Sequence, residues 1–84
     1  MSSLPERTFA IIAEQLRVPV DQVTPQAHLT DDLNADSLDL VDLTIAIEEE
    51  FSTDDNELEI SEDDAAELHT VQDVIDFLAA RGVT

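Results

Sequence analysis

Residues 37–51 read SLDLVDLTIAIEEEF, and the spacing of the apolar residues in this stretch predicts a helix with two apolar faces. A helix turns by about 100° per residue, so these residues form two stripes on nearly opposite faces. The longer stripe consists of Leu40, Leu43, Ile47 and Phe51. The shorter one, which we call the outer stripe, consists of Leu38, Val41 and Ile45. Because one helix of a small bundle buries only one face, we assign the longer stripe, which ends in an aromatic ring, to the core.

The outer stripe is then expected to lie at the surface, next to three acidic residues. These are Asp42, Glu48 and Glu49. An exposed apolar strip with an acidic rim is typical of a surface that binds another protein. The alternative is that the preceding connection, residues 18–36, covers the outer stripe.

A first helix is predicted upstream, over residues 4–16. Ser3 and Glu6 have the spacing of a capping box, and Pro5 suits the first turn. Four apolar residues recur at i, i+3, i+4 and i+7 and form one stripe: Phe9, Ile12, Ala13 and Leu16. The long connection that follows is expected to be held to the core by three apolar anchors: Val20, Val23 and Leu29.

Two more helices are predicted downstream. Ser61 can cap a short helix that runs to about Leu68. Its expected buried positions are Ile60, Ala65 and Leu68. Thr70, with Asp73 three residues later, can cap a final helix, and Gly82 lies where a C-terminal cap belongs.

These patterns predict an all-α fold, a four-helix bundle with three longer helices, one short third helix and a long first loop. A chain of 84 residues makes one small domain, which we expect to span residues 1–84. Met1-Ser2-Ser3 leads into the first helix without the apolar core of a signal peptide, and no apolar run reaches the ~20 residues of a membrane span. We therefore expect a cytoplasmic protein with no membrane insertion, and we expect it to be a monomer.

The charge of the chain restricts its possible partners. The net charge is -18, and no Lys or Arg occurs between Val18 and Ala80. Nothing in that range can replace the counterions of a phosphate backbone, so nucleic acid is excluded as a direct ligand. A basic protein surface is the natural partner, and the alternative is that the acids only keep a small domain in solution.

Ser37 stands at the start of the helix predicted over residues 37–51. The free N–H groups and the positive end of the helix dipole favour a phosphate at such a position. A hydroxyl in the first turn is also exposed enough for an enzyme to reach it. Asn34 tolerates the left-handed backbone that a tight turn before the helix would need. From the residues alone, a plain N-cap serine is the commoner interpretation.

Three blocks of this sequence resemble the acyl carrier protein family. They are residues 31–38 (DDLNADSL), residues 48–51 (EEEF) and residues 70–75 (TVQDVI), and the resemblance covers nearly the whole chain. It implies that Ser37, flanked by Asp36 and Leu38, receives a 4'-phosphopantetheine arm from coenzyme A through a phosphopantetheinyl transferase. The thiol of the arm would carry acyl groups as thioesters, since the chain has no cysteine of its own.

The resemblance also implies the partners of this carrier. They would be the transferase and the basic-surfaced enzymes of fatty-acid or polyketide synthesis. The residues expected to meet them, all at the outer stripe or beside it, are Leu38, Asp39, Val41, Asp42, Ile45, Glu48 and Glu49. Asn34 departs from the glycine that is usual in the family, and Ser52–Glu59 is longer than in a typical bacterial fatty-acid carrier. A polyketide, aminoacyl or specialised-lipid carrier therefore remains open.

No catalytic residue and no metal site is predicted. A calcium loop that starts at Asp54 or Asp55 would lack both the glycine at its sixth position and the glutamate at its twelfth. His28 and His69 are expected to be surface or loop residues rather than bases or ligands. We therefore expect a carrier that is not an enzyme. The alternative from another class is an unmodified acidic helical interaction module that docks on basic protein surfaces.

Overall fold

The computed structural model describes residues 3–83 and contains four α-helices. They are α1 (Leu4–Leu16), α2 (Ser37–Phe51), α3 (Glu62–Ala66) and α4 (Val71–Ala80), with a 3-10 turn at Val20–Gln22. The predicted all-α fold, with three longer helices and a short third one, is confirmed. Met1 and Ser2, on which the expectation about a signal peptide rested, lie outside the described residues, as does the C-terminal end of the expected domain 1–84.

The helix starts follow the predicted capping residues in three cases. The hydroxyls of Ser3 and Ser61 accept the backbone N–H groups three residues on, at 3.3 and 3.1 Å. Thr70 and Asp73 form a full capping box, in which Thr70 Oγ1 accepts the Asp73 amide at 3.1 Å and Asp73 Oδ2 accepts the Thr70 amide at 3.0 Å. Two amides donate to the Asp73 carboxylate, that of Thr70 above all and that of His69, and they hold its pKa below the ordinary value of 3.8, although partial burial opposes them.

The helix ends use left-handed backbone where the chain must turn. Arg17 follows α1 with φ 57°, and its amide donates to the carbonyl of Ala13. Gly82 follows α4 with φ 84°, as its predicted capping position requires. α3 ends at Ala66 rather than near Leu68, because the Glu67 amide bonds three residues back to Asp64 and tightens the last turn.

The core lies where α1 packs against both α2 and α4. The assigned core stripe of α2 is confirmed, since Leu43, Ile47 and Phe51 are buried and Leu40 is half-buried. Thr8 of α1 is also fully buried, and its hydroxyl donates to the Leu4 carbonyl at 2.8 Å. None of the helices in residues 3–83 is long and apolar enough to cross a membrane.

Two of the three predicted anchors of the first connection are buried. Val23 and Leu29 enter the core, whereas Val20 is 53% exposed, so its prediction was wrong. Val20 opens a 3-10 turn whose three residues all lie at the surface, and the chain reaches the core only after that turn. The connection is also tied to the start of α4, because the Leu29 amide donates to the His69 carbonyl at 2.9 Å.

The buried positions around α3 differ from those predicted. Leu68 is buried, but Ile60 and Ala65 are only half-buried, because a helix of five residues is too short to bury a full apolar stripe. Leu58, which lies in the segment before α3, is buried instead.

Candidate functional site

Ser37 is the first residue of α2 but does not cap it. Asp36 is the N-cap: its Oδ1 accepts the Asp39 amide at 2.8 Å, and its own amide donates to Asp39 Oδ2 at 3.2 Å. The interpretation of Ser37 as a plain N-cap serine is therefore wrong. The Ser37 side chain is exposed, and within residues 3–83 its hydroxyl makes no hydrogen bond to the protein. The fold leaves this hydroxyl free for chemistry.

The loop before α2 holds Ser37 in place from the other side. Asn34 has φ 61°, the left-handed conformation expected of it, and asparagine accepts this geometry better than most residues. Leu33 and Ala35, its two neighbours, are buried, and the Ala35 amide donates to the Leu29 carbonyl at 2.9 Å. An exposed serine thus follows directly on an anchored backbone.

The outer stripe lies at the surface, as its pattern predicted. Leu38 is 69% exposed, Val41 is 52% exposed and Ile45 is 47% exposed. The alternative, in which the connection of residues 18–36 covers these side chains, is therefore wrong. Three neighbouring large apolar side chains of α2 therefore remain in contact with water, and the first of them, Leu38, directly follows Ser37.

The four acidic residues beside the outer stripe fall into two groups. Asp39 is engaged in the capping box of α2, and Glu48 Oε2 accepts the amide of Ile60 at 2.8 Å. Asp42 and Glu49 are exposed, and among the described residues their carboxylates make neither a hydrogen bond nor an ion pair. Sequence reasoning treated the four alike, since the Ile60 amide that binds Glu48 lies twelve residues away.

The long segment Ser52–Glu59 is folded back on itself. Ser52 Oγ accepts the Leu58 amide at 2.9 Å, which closes the segment and directs the Leu58 side chain into the core. Asn56 Nδ2 donates to the carbonyl of Arg81 at 3.1 Å, so the segment is fastened to the end of α4. Ser52–Glu59, which we call the strap, therefore lies beyond the C-terminal end of α2 and is held there by these hydrogen bonds.

Both histidines are exposed residues of the connecting segments, as expected. His28 lies in the first connection and His69 precedes α4. Their backbones meet because His28 pairs with Thr70 in an isolated β-bridge. Both lie on the segments that join the helices, as surface or loop residues.

The chain is similar to known proteins over most of its length. Residues 6–78 match the family described as "Phosphopantetheine attachment site". The chain is also 48% identical, over 77 residues, to a protein from Thermosynechococcus vestitus named "Acyl carrier protein". That similarity covers 92% of this chain and 89% of the other protein. Ser37, the outer stripe and the acidic residues beside it all lie within the matched range.

Proposed function

The chain belongs to the acyl carrier protein family, and on this basis we propose that Ser37 carries the 4'-phosphopantetheine arm. Members of this family tether acyl groups as thioesters on that arm and are carriers rather than enzymes. The observation that carries the assignment to Ser37 is its exposed hydroxyl, which opens α2 and makes no hydrogen bond within the described residues. The sequence contains no cysteine, so the thiol that bears the acyl group has to come with the arm.

The residues around Ser37 fit a phosphate ester. The amides of Ser37 and Leu38 have no backbone partner among the described residues, and they point out of the positive end of α2. Asp36 supports the site by capping the helix, which fixes where its first turn begins. Leu38 supports it by exposing an apolar side chain next to the hydroxyl. We assign Asp36 and Leu38 to the attachment site in these two roles.

The attachment site is tested by intact mass after incubation with coenzyme A and a broad-specificity phosphopantetheinyl transferase. The wild-type protein is expected to gain the mass of one phosphopantetheine group, and Ser37→Ala is expected to gain nothing. Because Asp36 rather than Ser37 caps α2, the substitution should leave the free energy of unfolding almost unchanged. Ser61→Ala is the matched control, since Ser61 also stands exposed at a helix start and should not affect the mass gain.

Two results would contradict this assignment. A Ser37→Ala protein that still gains the arm would place the attachment elsewhere. A wild-type protein that gains nothing with any transferase would favour the unmodified acidic interaction module.

The family implies a phosphopantetheinyl transferase and synthesis enzymes as partners. We propose that they dock through basic surfaces on the outer stripe and the acids beside it. The proposed docking residues are Leu38, Asp39, Val41, Asp42, Ile45, Glu48 and Glu49. The exposure of the three apolar side chains supports this surface, and the net charge of -18 supports a basic partner.

The same proposal includes a cytoplasmic monomer in which residues 1–84 act as one acyl-carrier-like domain. One cluster of buried side chains, drawn from α1, α2, α4 and the connections, supports the single domain. Sedimentation of the purified protein tests the monomer, and fractionation of the source cells tests the location. The choice between fatty-acid and polyketide enzymes as partners is tested by which of them load or accept acyl groups on the holo protein.

A further inference from the structure

A second surface feature runs along α2, on the side that faces α1. We call it the α1–α2 groove, and its first part has a volume of about 390 Å³. The apolar side chains that line it belong to Ala10, Ile11 and Ala46. The groove continues past Glu14 toward the end of α1, where Asp42 of α2 lines the next part, of about 540 Å³. Small side chains on both helices thus leave a shallow channel between them.

The walls of this groove carry carboxylates that the fold does not use. Glu6 and Glu14 of α1 stand across from Asp42 and Glu49 of α2. Among residues 3–83, none of these four carboxylates makes a hydrogen bond or an ion pair. Like charges that face each other raise the electrostatic energy of the folded state, so the groove is suited to a cationic partner.

The basic residues at the groove leave this charge largely in place. Arg7 is already engaged, because it pairs with Glu50 at 3.7 Å and stacks on the ring of Phe51 at 4.6 Å. Arg17 lines the far end of the groove but forms no ion pair with a described residue. Two arginines therefore line the groove beside six acidic residues, and Arg7 is already paired.

The spacing of the carboxylates favours several separate cationic groups over one metal ion. In the described part of the chain, no three acidic or histidine side chains converge closely enough to hold a metal. From Glu6 to Glu14 the α1 wall extends about 12 Å at a helical rise of about 1.5 Å per residue. A row of Lys or Arg side chains can place one charge at each carboxylate, while their aliphatic stems lie on Ala10, Ile11 and Ala46.

We propose that the α1–α2 groove is a second docking surface, occupied by a Lys- and Arg-bearing segment of the same enzymes that seat on the outer stripe. The inference rests on the proposed function. The two surfaces are continuous, since Asp42 and Glu49 belong both to the rim of the outer stripe and to the wall of the groove. A partner on the outer stripe therefore brings its flanking basic residues over the groove, so α1 takes part in recognition.

The first test compares two double variants that remove the same number of charges. Glu6→Gln with Glu14→Gln acts on the α1 wall only and leaves every proposed docking residue intact. Glu67→Gln with Asp76→Asn removes two exposed acids that do not line the groove, one directly after α3 and one on α4. The affinity of each apo protein for a phosphopantetheinyl transferase is measured by calorimetry without coenzyme A. We expect the groove variant to bind about fivefold more weakly and the control less than about twofold more weakly.

The second test uses the absence of cysteine from the sequence. Ala10→Cys carries an environment-sensitive dye in the lining of the groove, and Ala79→Cys carries the same dye at an exposed position of α4. Binding of the transferase should shift the emission of the Ala10 label to the blue and leave the Ala79 label unchanged. Circular dichroism of every variant checks that the helices are intact.

Equal weakening in the two double variants, or an unchanged Ala10 label in a formed complex, would overturn the groove as a docking surface. These outcomes leave the proposed function intact if the wild-type protein still binds the transferase and gains the arm at Ser37. If the wild-type protein neither binds the transferase nor gains the arm, the proposed function is wrong, and the docking role of the groove, which depends on it, is wrong as well.

Discussion

On the α3 side of α2, Glu48 Oε2 accepts the Ile60 amide at 2.8 Å, and Arg81 Nη2 donates to Asp64 Oδ2 of α3 at 3.0 Å. On the α1 side, Glu14 and Glu49 face each other with no partner among the described residues. A carboxylate is structural where a backbone amide or an arginine lies within reach, and is left for other molecules where none does. The sequence places acids on both sides of α2, but it does not show which of them find a partner.

The two sides of α2 differ in the apolar packing that supports them. The α3 side has to hold a five-residue helix and a long strap, which bury few apolar side chains. Arg81 contributes there through its ion pair with Asp64 and through the ring of Phe77, which lies 4.6 Å from the guanidinium carbon. The α1 side has a similar contact, since Arg7 pairs with Glu50 and stacks on Phe51. There, however, the apolar stripe of α1 also packs against α2 and α4.

The largest expected effect separates the two apolar faces of α2. Leu43→Ala should lower the free energy of unfolding by about 3 kcal/mol, because it leaves a cavity in the core. Val41→Ala, on the outer stripe, should change it by less than about 0.5 kcal/mol and should shorten the lifetime of a complex with a partner enzyme. Urea unfolding and surface plasmon resonance measure the two quantities. A loss of about 2 kcal/mol or more at Val41 would place that residue in the core.

The next effect contrasts two adjacent glutamates. Glu48→Ala should lower the free energy of unfolding by about 1–2 kcal/mol, because the half-buried amide of Ile60 loses its acceptor. Glu49→Ala should leave stability unchanged within about 0.5 kcal/mol and should slow association with a basic partner. Chemical unfolding and stopped-flow binding distinguish the two outcomes. Equal stability of the two variants would mean that Glu48 is no more structural than Glu49.

Asp73 extends the comparison to a structural carboxylate outside α2. Its pKa is lowered in the folded state, so its contribution to stability is fully present above the ordinary value of 3.8 and is lost as the pH falls through the lowered pKa. Asp73→Asn should cost about 1 kcal/mol at neutral pH, and its difference from wild type should vanish in stronger acid. Asp76→Asn, on the same helix, is the control and should cost less than about 0.5 kcal/mol. Urea unfolding over an acid pH series is the measurement, and a constant difference at all pH values would contradict the role of Asp73.

The smallest expected effect is the change of the melting temperature with salt, which comes from the free acids of the α1 side. Raising sodium chloride from about 10 mM to about 500 mM should increase the melting temperature, because salt screens the repulsion between these carboxylates. Millimolar magnesium should increase it further. Glu6→Gln with Glu14→Gln should stabilise the protein by about 0.5 kcal/mol at low salt and should flatten the response. Thermal melts monitored by circular dichroism test this, and a melting temperature that does not change with salt would mean that the acids are spaced too far apart to strain the fold.

Much of the architecture follows from local rules, and these can be applied to a sequence. The bounds of α1 and α2, the two faces of α2 and the caps at Ser61 and Thr70 were all predicted, because helical period and capping act over four residues or fewer. The free hydroxyl at the start of α2 was located by the same means. At the start of α2, the interpretation of Ser37 as the cap was wrong, because the cap is Asp36.

The amino-acid sequence by itself determined the helical class, the acidic surface and the position of Ser37, since each depends on composition or on neighbours in the chain. Tertiary structure alone decided that Val20 faces water, that Leu58 is buried and that Asn56 reaches the carbonyl of Arg81, 25 residues away. It also decided which acids of α2 are structural and which are free. The role of a carboxylate depends on which groups folding brings next to it. Those groups come from distant parts of the chain, so no local sequence pattern predicts them.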